Sequence, residues 1–157
     1  MDFNKLPLTY QGKVEEKHLD FLGHMNVMWY THFFDLATWS WYNAFGFGTE
    51  YHTTSGNGSF ALEAHCRYLA ELRVSEEFKI YSRAITRNAK LFLMVHYMVL
   101  ADGQLAAILE LLGVHINMAT RRSSPLLPEI AALWDQQIGI GDAAGWDPML
   151  SGSIHLK

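Results

Sequence analysis

The segment from Asn26 to Phe45 constrains the fold of this chain most, because it has helical spacing and is apolar on nearly every side. Apolar and aromatic side chains recur along it at helical intervals, and only a thin polar stripe interrupts them. That stripe consists of Thr31, Asp35 and Thr38. A helix with this pattern is enclosed by the rest of its protein and does not lie on the surface. Gly46 supplies the predicted C-terminal stop.

Most of the other periodic segments predict strands, because their apolar residues alternate with polar ones or run without interruption. The run 91–100 is apolar at both its odd and its even positions, which is typical of a central strand with two covered faces. In the run 60–68, the even-numbered positions are Phe60, Leu62, Ala64 and Cys66, and the odd-numbered ones are Ala61, Glu63, His65 and Arg67. We expect the first set, including Cys66, in the core. The predicted strands cover residues 10–18, 60–68, 78–84, 91–100 and 104–118, and a short helix follows over about 128–137.

This order of elements predicts an α+β fold in which one five-stranded antiparallel sheet wraps one long central helix. At 157 residues and 50% hydrophobic side chains, the chain has the size and apolar content of one domain. We therefore expect a single domain over 1–157 with a core over about 10–120. A single sheet leaves its edge strands open, so the fold is expected to dimerise edge to edge and to form a homodimer or a dimer of dimers.

Composition excludes several classes of partner. Twelve Lys and Arg against 16 Asp and Glu give a formal charge of −4, which disfavours nucleic acid. The sequence has no signal-peptide pattern and no apolar run of about 20 residues, so we expect no membrane and a cytoplasmic location. Cys66 is the single cysteine, which indicates a reducing compartment. The eight histidines show no recognisable ligand spacing, so no metal is predicted.

The residue types between Asp20 and Asn26 suit a catalytic site. Asp20 precedes the predicted helix start, where unpaired backbone N–H groups and about half a positive charge face outward. Gly23 allows a substrate to approach the backbone closely. Those N–H groups can hold an oxyanion while the carboxylate acts as base or nucleophile on a carbonyl. The alternative is that Asp20 or Asn26 only caps the helix.

The run from Asp20 to Tyr30 resembles the D-x-x-G-H-x-N-x-x-x-Y signature of hotdog-fold acyl-CoA thioesterases of the 4-hydroxybenzoyl-CoA thioesterase type. The similarity continues through Glu63-Ala64-His65 and Tyr68 and ends at the segment 119–125, so it covers roughly residues 10–134. The run Gly-His-Met-Asn-Val with the aromatic pair after it, and the Ala-Thr-Arg-Arg-Ser segment, resemble the branch that includes betainyl-CoA thioesterases of carnitine breakdown.

The resemblance implies metal-free hydrolysis of a small acyl-CoA thioester, with coenzyme A as part of the substrate and no separate cofactor. Asp20 is then the catalytic carboxylate, which attacks the thioester carbonyl or activates water. The amides around Asn26 and Val27 polarise the carbonyl oxygen. His24 and Asn26 receive orienting roles, and a hydrogen-bonded turn histidine is an equal alternative for His24. Glu63 matches an acidic position of the family and either faces the reacting carbonyl or joins a polar network on the outer face of the sheet.

The phosphates of coenzyme A require local positive charge in spite of the acidic total. The candidates are Arg87, Lys90, Arg121 and Arg122, each of which is alternatively a solvated surface cation. Trp29 and Tyr30 lie nearest the catalytic end and join Gly23 in the predicted substrate pocket. Their ring faces suit the quaternary ammonium of a betainyl group, although aromatics at helical spacing also pack in cores.

Two other functions remain open from the sequence. The first is a non-catalytic hotdog module that binds acyl-CoA or regulates. The second is an enoyl-CoA hydratase, whose signature resembles D-x-x-x-x-H. Asp20 and His24 have three residues between them, which disfavours the hydratase.

Overall fold

The structure is a computed structural model that describes residues 1–156. Its strands form one antiparallel sheet in the order β1-β3-β4-β5-β2, and a short β6 pairs with the end of β5. This order makes β1 and β2 the edges and puts the fully apolar β4 in the middle. The elements are β1 (Leu8–Lys13), α1 (Val27–Phe45), α2 (Thr49–Thr54), β2 (Asn57–Tyr68), β3 (Glu77–Arg87), β4 (Leu91–Leu100), β5 (Leu105–Asn117), β6 (Arg122–Ser123) and α3 (Pro128–Ala143).

Two elements end far from their predicted ends, whereas the bounds of the other predicted elements differ by at most three residues. The first strand ends at Lys13, because residues 16–18 turn into a short 3-10 helix instead of continuing the alternation. The C-terminal helix extends to Ala143, six residues beyond the predicted end near 137. It packs against β3, where Gly141 lies against the backbone oxygen of Ala84, and its Ile130 and Trp134 share a buried cluster with residues of α1. No helix in residues 1–156 is long and apolar enough to cross a membrane.

Helix α1 lies across one face of the sheet and begins and ends where the sequence predicted. Asn26 caps its start, and Gly46 ends it with a φ of 89°. One side of the helix, including Phe34 and Ala37, is fully buried against the sheet. The opposite side is exposed and carries the large apolar residues Met28, Leu36 and Trp39. The expectation that the helix is enclosed on all sides is therefore wrong for a single chain.

A β-bulge in the edge strand β2 changes which face its residues occupy. Ala61 pairs with Gly113 and Glu63 with Leu112, so Leu62 is the extra residue. Because directly paired residues share a face, Phe60 lies with Val114 on the outer face, away from α1. Ala64 and Cys66, paired with Leu111 and Leu109, face the helix. The sequence alternation wrongly placed all four on one side, because an inserted residue shifts the parity.

The tail after α3 crosses the outer face of the sheet, where the sequence offered no prediction. Ile154 is buried in a cluster with Leu93 and Leu112. The buried carboxylate of Glu110 accepts hydrogen bonds from the backbone N–H of Ser151 (2.5 Å) and from its hydroxyl (2.9 Å). Tail residues thus cover a surface that the pattern of strands alone would leave open.

A chain of buried hydrogen bonds connects α1 with three strands. The Thr9 and Ser82 hydroxyls are 2.8 Å apart, and the Ser82 hydroxyl lies 2.7 Å from His96 Nδ1. His96 Nε2 lies 3.0 Å from the Thr38 hydroxyl, which donates to the carbonyl of Phe34 at 2.9 Å. Burial lowers the pKa of His96 to about 3, so this imidazole is neutral.

Candidate active site

The segment before α1 folds into a tight turn that returns on itself. The amide of Asp20 donates to the carbonyl of His24 at 3.0 Å, and the amide of Gly23 donates to the carbonyl of Asp20 at 3.0 Å. Gly23 has a φ of 84°, in the left-handed region that glycine adopts without strain. The amide of Met25 donates to the carbonyl of Leu72 at 2.7 Å, which anchors the turn to the segment after β2. Backbone bonds therefore hold the position of this turn.

The carboxylate of Asp20 is held at the tip of this turn, only partly accessible to solvent. Its Oδ1 accepts the Leu22 amide at 2.8 Å, and its Oδ2 lies 3.8 Å from His24 Nδ1. Oδ2 is thus the oxygen left for a reacting group, with the imidazole beside it. His24 Nδ1 also lies 3.4 Å from the carbonyl of Met25. This contact supports an orienting role for the histidine.

The start of α1 leaves one backbone donor available. The side chain of Asn26 accepts the Met28 amide at 3.0 Å, and the Asn26 carbonyl accepts the Trp29 amide at 2.9 Å. Within residues 1–156, the amide of Val27 donates no hydrogen bond. Such a free N–H at a helix start, with the helix dipole behind it, is suited to bind a carbonyl oxygen that gains negative charge.

An open cleft of about 320 Å³ adjoins this amide. Its walls come from the turn, from the first residues of α1 and from the end of β2. Tyr30 is buried in one wall, where its hydroxyl donates to the carbonyl of Ala70 at 3.3 Å and its ring meets Tyr68 edge to face at 5.1 Å. Burial raises the pKa of Tyr30 to about 12, so it stays protonated and neutral. The lining residues are His24, Met25, Val27, Tyr30, Tyr68, Leu69, Ala70 and Glu71.

Comparison with known proteins identifies the family. The model of the thioesterase-like superfamily matches residues 14–133, which is well over half of the chain. The chain belongs to the thioesterase-like superfamily. This finding confirms the predicted hotdog fold and the predicted class of enzyme, an acyl-CoA thioester hydrolase.

Individual relatives agree with this membership. Betainyl-CoA thioesterase of Pseudomonas aeruginosa is 26% identical over 125 residues, or 79% of each chain. An L-carnitine dehydrogenase/betainyl-CoA thioesterase of Agrobacterium fabrum is 23% identical over 83% of this chain, which matches only 28% of that longer protein. A Staphylococcus aureus protein solved in complex with CoA has the same fold, with a TM-score of 0.85, 21% identity and 97% coverage of both chains.

The structure of this thioesterase-family chain brings together five of the predicted site positions. They are Asp20, Gly23, His24, Asn26 and Val27, all in the turn or at the start of α1. Tyr30 joins them in the wall of the cleft. Asn26 caps the helix, and within residues 1–156 the amide of the next residue, Val27, has no hydrogen-bond partner.

Trp29 and Glu63 do not lie with this group in the single chain. The ring of Trp29 packs against His18, with centroids 4.3 Å apart, and against Phe33. It therefore belongs to the core on the far side of the turn. Glu63 pairs with Leu112 and shares the outer face of the sheet with it. Within the protomer, Glu63 therefore lies on the outer face of the sheet, which was one of the two positions considered for it.

The four predicted CoA-binding cations have different surroundings. Arg87 forms a two-point ion pair with Asp135, with N–O distances of 2.7 and 2.5 Å. The guanidinium of Arg121 lies 4.9 Å from the centre of the Phe60 ring. Lys90 is exposed at a groove on the outer face that Leu62 and Ser123 also line, and Arg122 is exposed in β6 next to Ser123.

Sequence reasoning missed the cleft wall formed by Tyr68, Leu69 and Ala70 at the end of β2. Tyr68 was predicted as the end of the strand 60–68 and noted in the resemblance, but nothing in the alternation indicates a nearby helix start. Within residues 1–156, no group of three or more His, Cys, Asp or Glu side chains is placed to hold a metal ion.

Proposed function

We propose that this protein hydrolyses a small acyl-CoA thioester to the free acid and coenzyme A, with Asp20 as the catalytic carboxylate. The observation that carries the proposal is that Val27, whose amide has no hydrogen-bond partner within residues 1–156, lines the same cleft as His24, the neighbour of the Asp20 carboxylate. A carbonyl oxygen in the cleft accepts a hydrogen bond from that amide. The carbonyl carbon is then exposed to attack by Asp20 or by a water that Asp20 deprotonates.

The reaction needs few groups beyond these two. Addition to the carbonyl moves negative charge onto its oxygen, where the Val27 amide and the helix dipole stabilise it. The carbon–sulfur bond then breaks, and coenzyme A leaves as a thiolate without help from an acid. Water supplies the oxygen of the product acid. His24 and Asn26 act as positioning residues, one beside the carboxylate and the other at the helix start.

The proposed assembly is a homodimer, or a pair of such dimers, in which β2 of one copy meets β2 of the next. Residues 60–64 at this edge are exposed, and so are Met28, Leu36 and Trp39 on the neighbouring side of α1. Apolar surface of this extent next to an unpaired strand edge supports burial by a second copy. A cytoplasmic location remains part of the proposal, in keeping with the single, unpaired Cys66.

The proposed contacts for the phosphates of coenzyme A are Lys90 and Arg122, with Arg121 close by. Lys90 and Arg122 are exposed, and Lys90 lines a groove of about 670 Å³ together with Ser123, the chain neighbour of Arg122. Arg87 can contribute only by sharing its guanidinium with Asp135. The proposed acyl group is small, and the names of the two curated relatives make betainyl-CoA the first substrate to test.

The test is thiol release from short-chain, aromatic and trimethylammonium acyl-CoAs by wild type and by Asp20→Asn. We expect Asp20→Asn to lower kcat by about 10²–10⁴ with little change in KM, because the amide keeps the shape of the side chain and removes its basic oxygen. Asp142→Asn, the same change at an exposed position of α3, is the control and should retain full activity. Full activity in Asp20→Asn would refute this mechanism.

A further inference from the structure

A second, smaller cavity lies between the middle of α1 and the bulged edge strand β2. Its volume is about 90 Å³. This is the space of about three water molecules, which suits a compact branched group and excludes a long chain. The residues that define its chemistry are Asp35, Thr38, Trp39 and Tyr42 from the helix and Ser59 and Ala61 from the strand.

This cavity combines one carboxylate with aromatic rings. Asp35 and Trp39 are one helical turn apart on the exposed side of α1. Trp39 meets the ring of Tyr42 edge to face at 5.9 Å. Asp35 lines the cavity beside Tyr42; burial raises the pKa of Tyr42, and the nearby charge of Asp35 raises it further.

No lysine or arginine is among the residues that line this cavity within the described chain. The ring of His52 meets Trp39 at 5.5 Å, and burial lowers the pKa of this histidine, which favours its neutral form. A site with one carboxylate, aromatic rings and no lysine or arginine favours a cation over an anion.

A substrate bound in the cleft cannot reach the cavity of the same chain. Asp35 follows Val27 by eight residues, a distance of about 12 Å along a helix. In an acyl group whose head is one methylene from the carbonyl, the head cannot cover that distance while the carbonyl oxygen contacts the Val27 amide. Any use of the cavity in catalysis therefore requires a second copy.

Pairing of two β2 edges supplies that second copy in the required position. Tyr68, at one end of β2, lines the cleft beside Val27, whereas Ser59, near the other end, lines the cavity beside Asp35. Two copies of one strand related by a two-fold axis run antiparallel, so an axis through the middle of β2 places the Tyr68 end of one against the Ser59 end of the other, about 4.8 Å away. The cleft of each copy then meets the cavity of its neighbour.

We infer that the cavity of Asp35 and Trp39 receives the acyl head group of a substrate bound in the cleft of the second copy, and that it selects a head with a quaternary ammonium. This inference rests on the proposed function and on the β2 dimer. The carboxylate supplies the opposite charge, and the indole face supplies a cation–π contact. Asp35 and Trp39 are thus specificity determinants, and neither takes part in bond breaking.

The test compares two substrates of equal shape and different charge. Betainyl-CoA carries a trimethylammonium head, and 3,3-dimethylbutanoyl-CoA carries a tert-butyl head at the same place. We expect wild type to favour betainyl-CoA in kcat/KM by at least tenfold. Asp35→Asn should lower kcat/KM for betainyl-CoA at least tenfold and change the value for the neutral substrate less than twofold. Trp39→Leu should also reduce the preference, and Asp142→Asn should preserve it.

The possible outcomes distinguish a failure of this inference from a failure of the proposed function. An equal loss on both substrates in Asp35→Asn overturns the inference, because the residue would then act in folding or chemistry. Equal activity of wild type on both substrates also overturns it, while hydrolysis that depends on Asp20 leaves the proposed function standing. If wild type hydrolyses neither substrate nor any other acyl-CoA, the proposed function fails and the inference fails with it.

Discussion

At the scale of single residues, Asn26 caps helix α1 beside the backbone amide that we propose binds the substrate. Its side chain accepts the Met28 amide and its carbonyl accepts the Trp29 amide, which leaves Val27 as the donor without a partner. A cap of this kind typically stabilises a helix by about 1 kcal/mol. The amide of Val27 beside this cap is the one that we propose binds the carbonyl oxygen of the substrate.

His96 leads to a prediction about acid stability. Its pKa is about 3 in the folded chain because of burial, whereas a histidine in the unfolded chain titrates near 6.5. As the pH falls below 6.5, the unfolded chain takes up a proton that the folded chain does not, so the free energy of unfolding decreases toward pH 3. Between pH 7 and pH 5 this one residue should account for a loss of about 2 kcal/mol.

Urea unfolding at pH 7 and pH 5 measures this effect in wild type, His96→Gln and His155→Gln. The decrease should be about 2 kcal/mol smaller in His96→Gln, whatever the cost of that substitution at pH 7. His155 is exposed, so its variant should behave like wild type. An equal pH dependence in all three proteins would show that His96 is not the group responsible.

At the scale of elements, α1 and the turn before it were predictable because their signals are local. Asn26 and Gly46 mark the ends of the helix, and the run from Asp20 to Tyr30 carries the family signature within one continuous segment. The bulge at Leu62 was not predictable, because it depends on how β2 aligns with β5. The cleft wall at Tyr68 was missed for the same reason, since it forms only when distant segments meet.

The C-terminal tail was also beyond sequence reasoning, and its contacts lead to a test. Ile154 is buried against Leu93 and Leu112, so Ile154→Ala should lower the free energy of unfolding by about 2 kcal/mol. It should also make the tail more susceptible to limited proteolysis, because the hydrophobic contact that holds it is reduced. His155→Ala, at the exposed neighbour, is the matched control and should have little effect. Equal stability and equal cleavage in the two variants would contradict the packed position of the tail.

At the scale of the whole molecule, the exposed apolar side of α1 predicts a dimer. Leu36 lies on this side with Met28 and Trp39. Leu36→Glu should convert a dimeric wild type largely to monomer, because a buried unpaired charge opposes association. Activity should fall with it, since the proposed site joins two copies. Light scattering after size exclusion gives the mass, and Gln136→Glu on α3 is the control that should remain dimeric. A monomeric and fully active wild type would contradict the assembly.

The tail of the chain has a further consequence for how such dimers can associate. By lying across the outer side of β4 and β5, it satisfies the Glu110 carboxylate and covers Leu93 and Leu112 from within the same molecule. Two dimers therefore cannot pack these parts of their sheets directly against each other while the C-terminal tails stay bound there. A tetramer that keeps the tails in place has to be joined through surfaces that they leave open, such as the part of the outer face around Leu62 and Lys90.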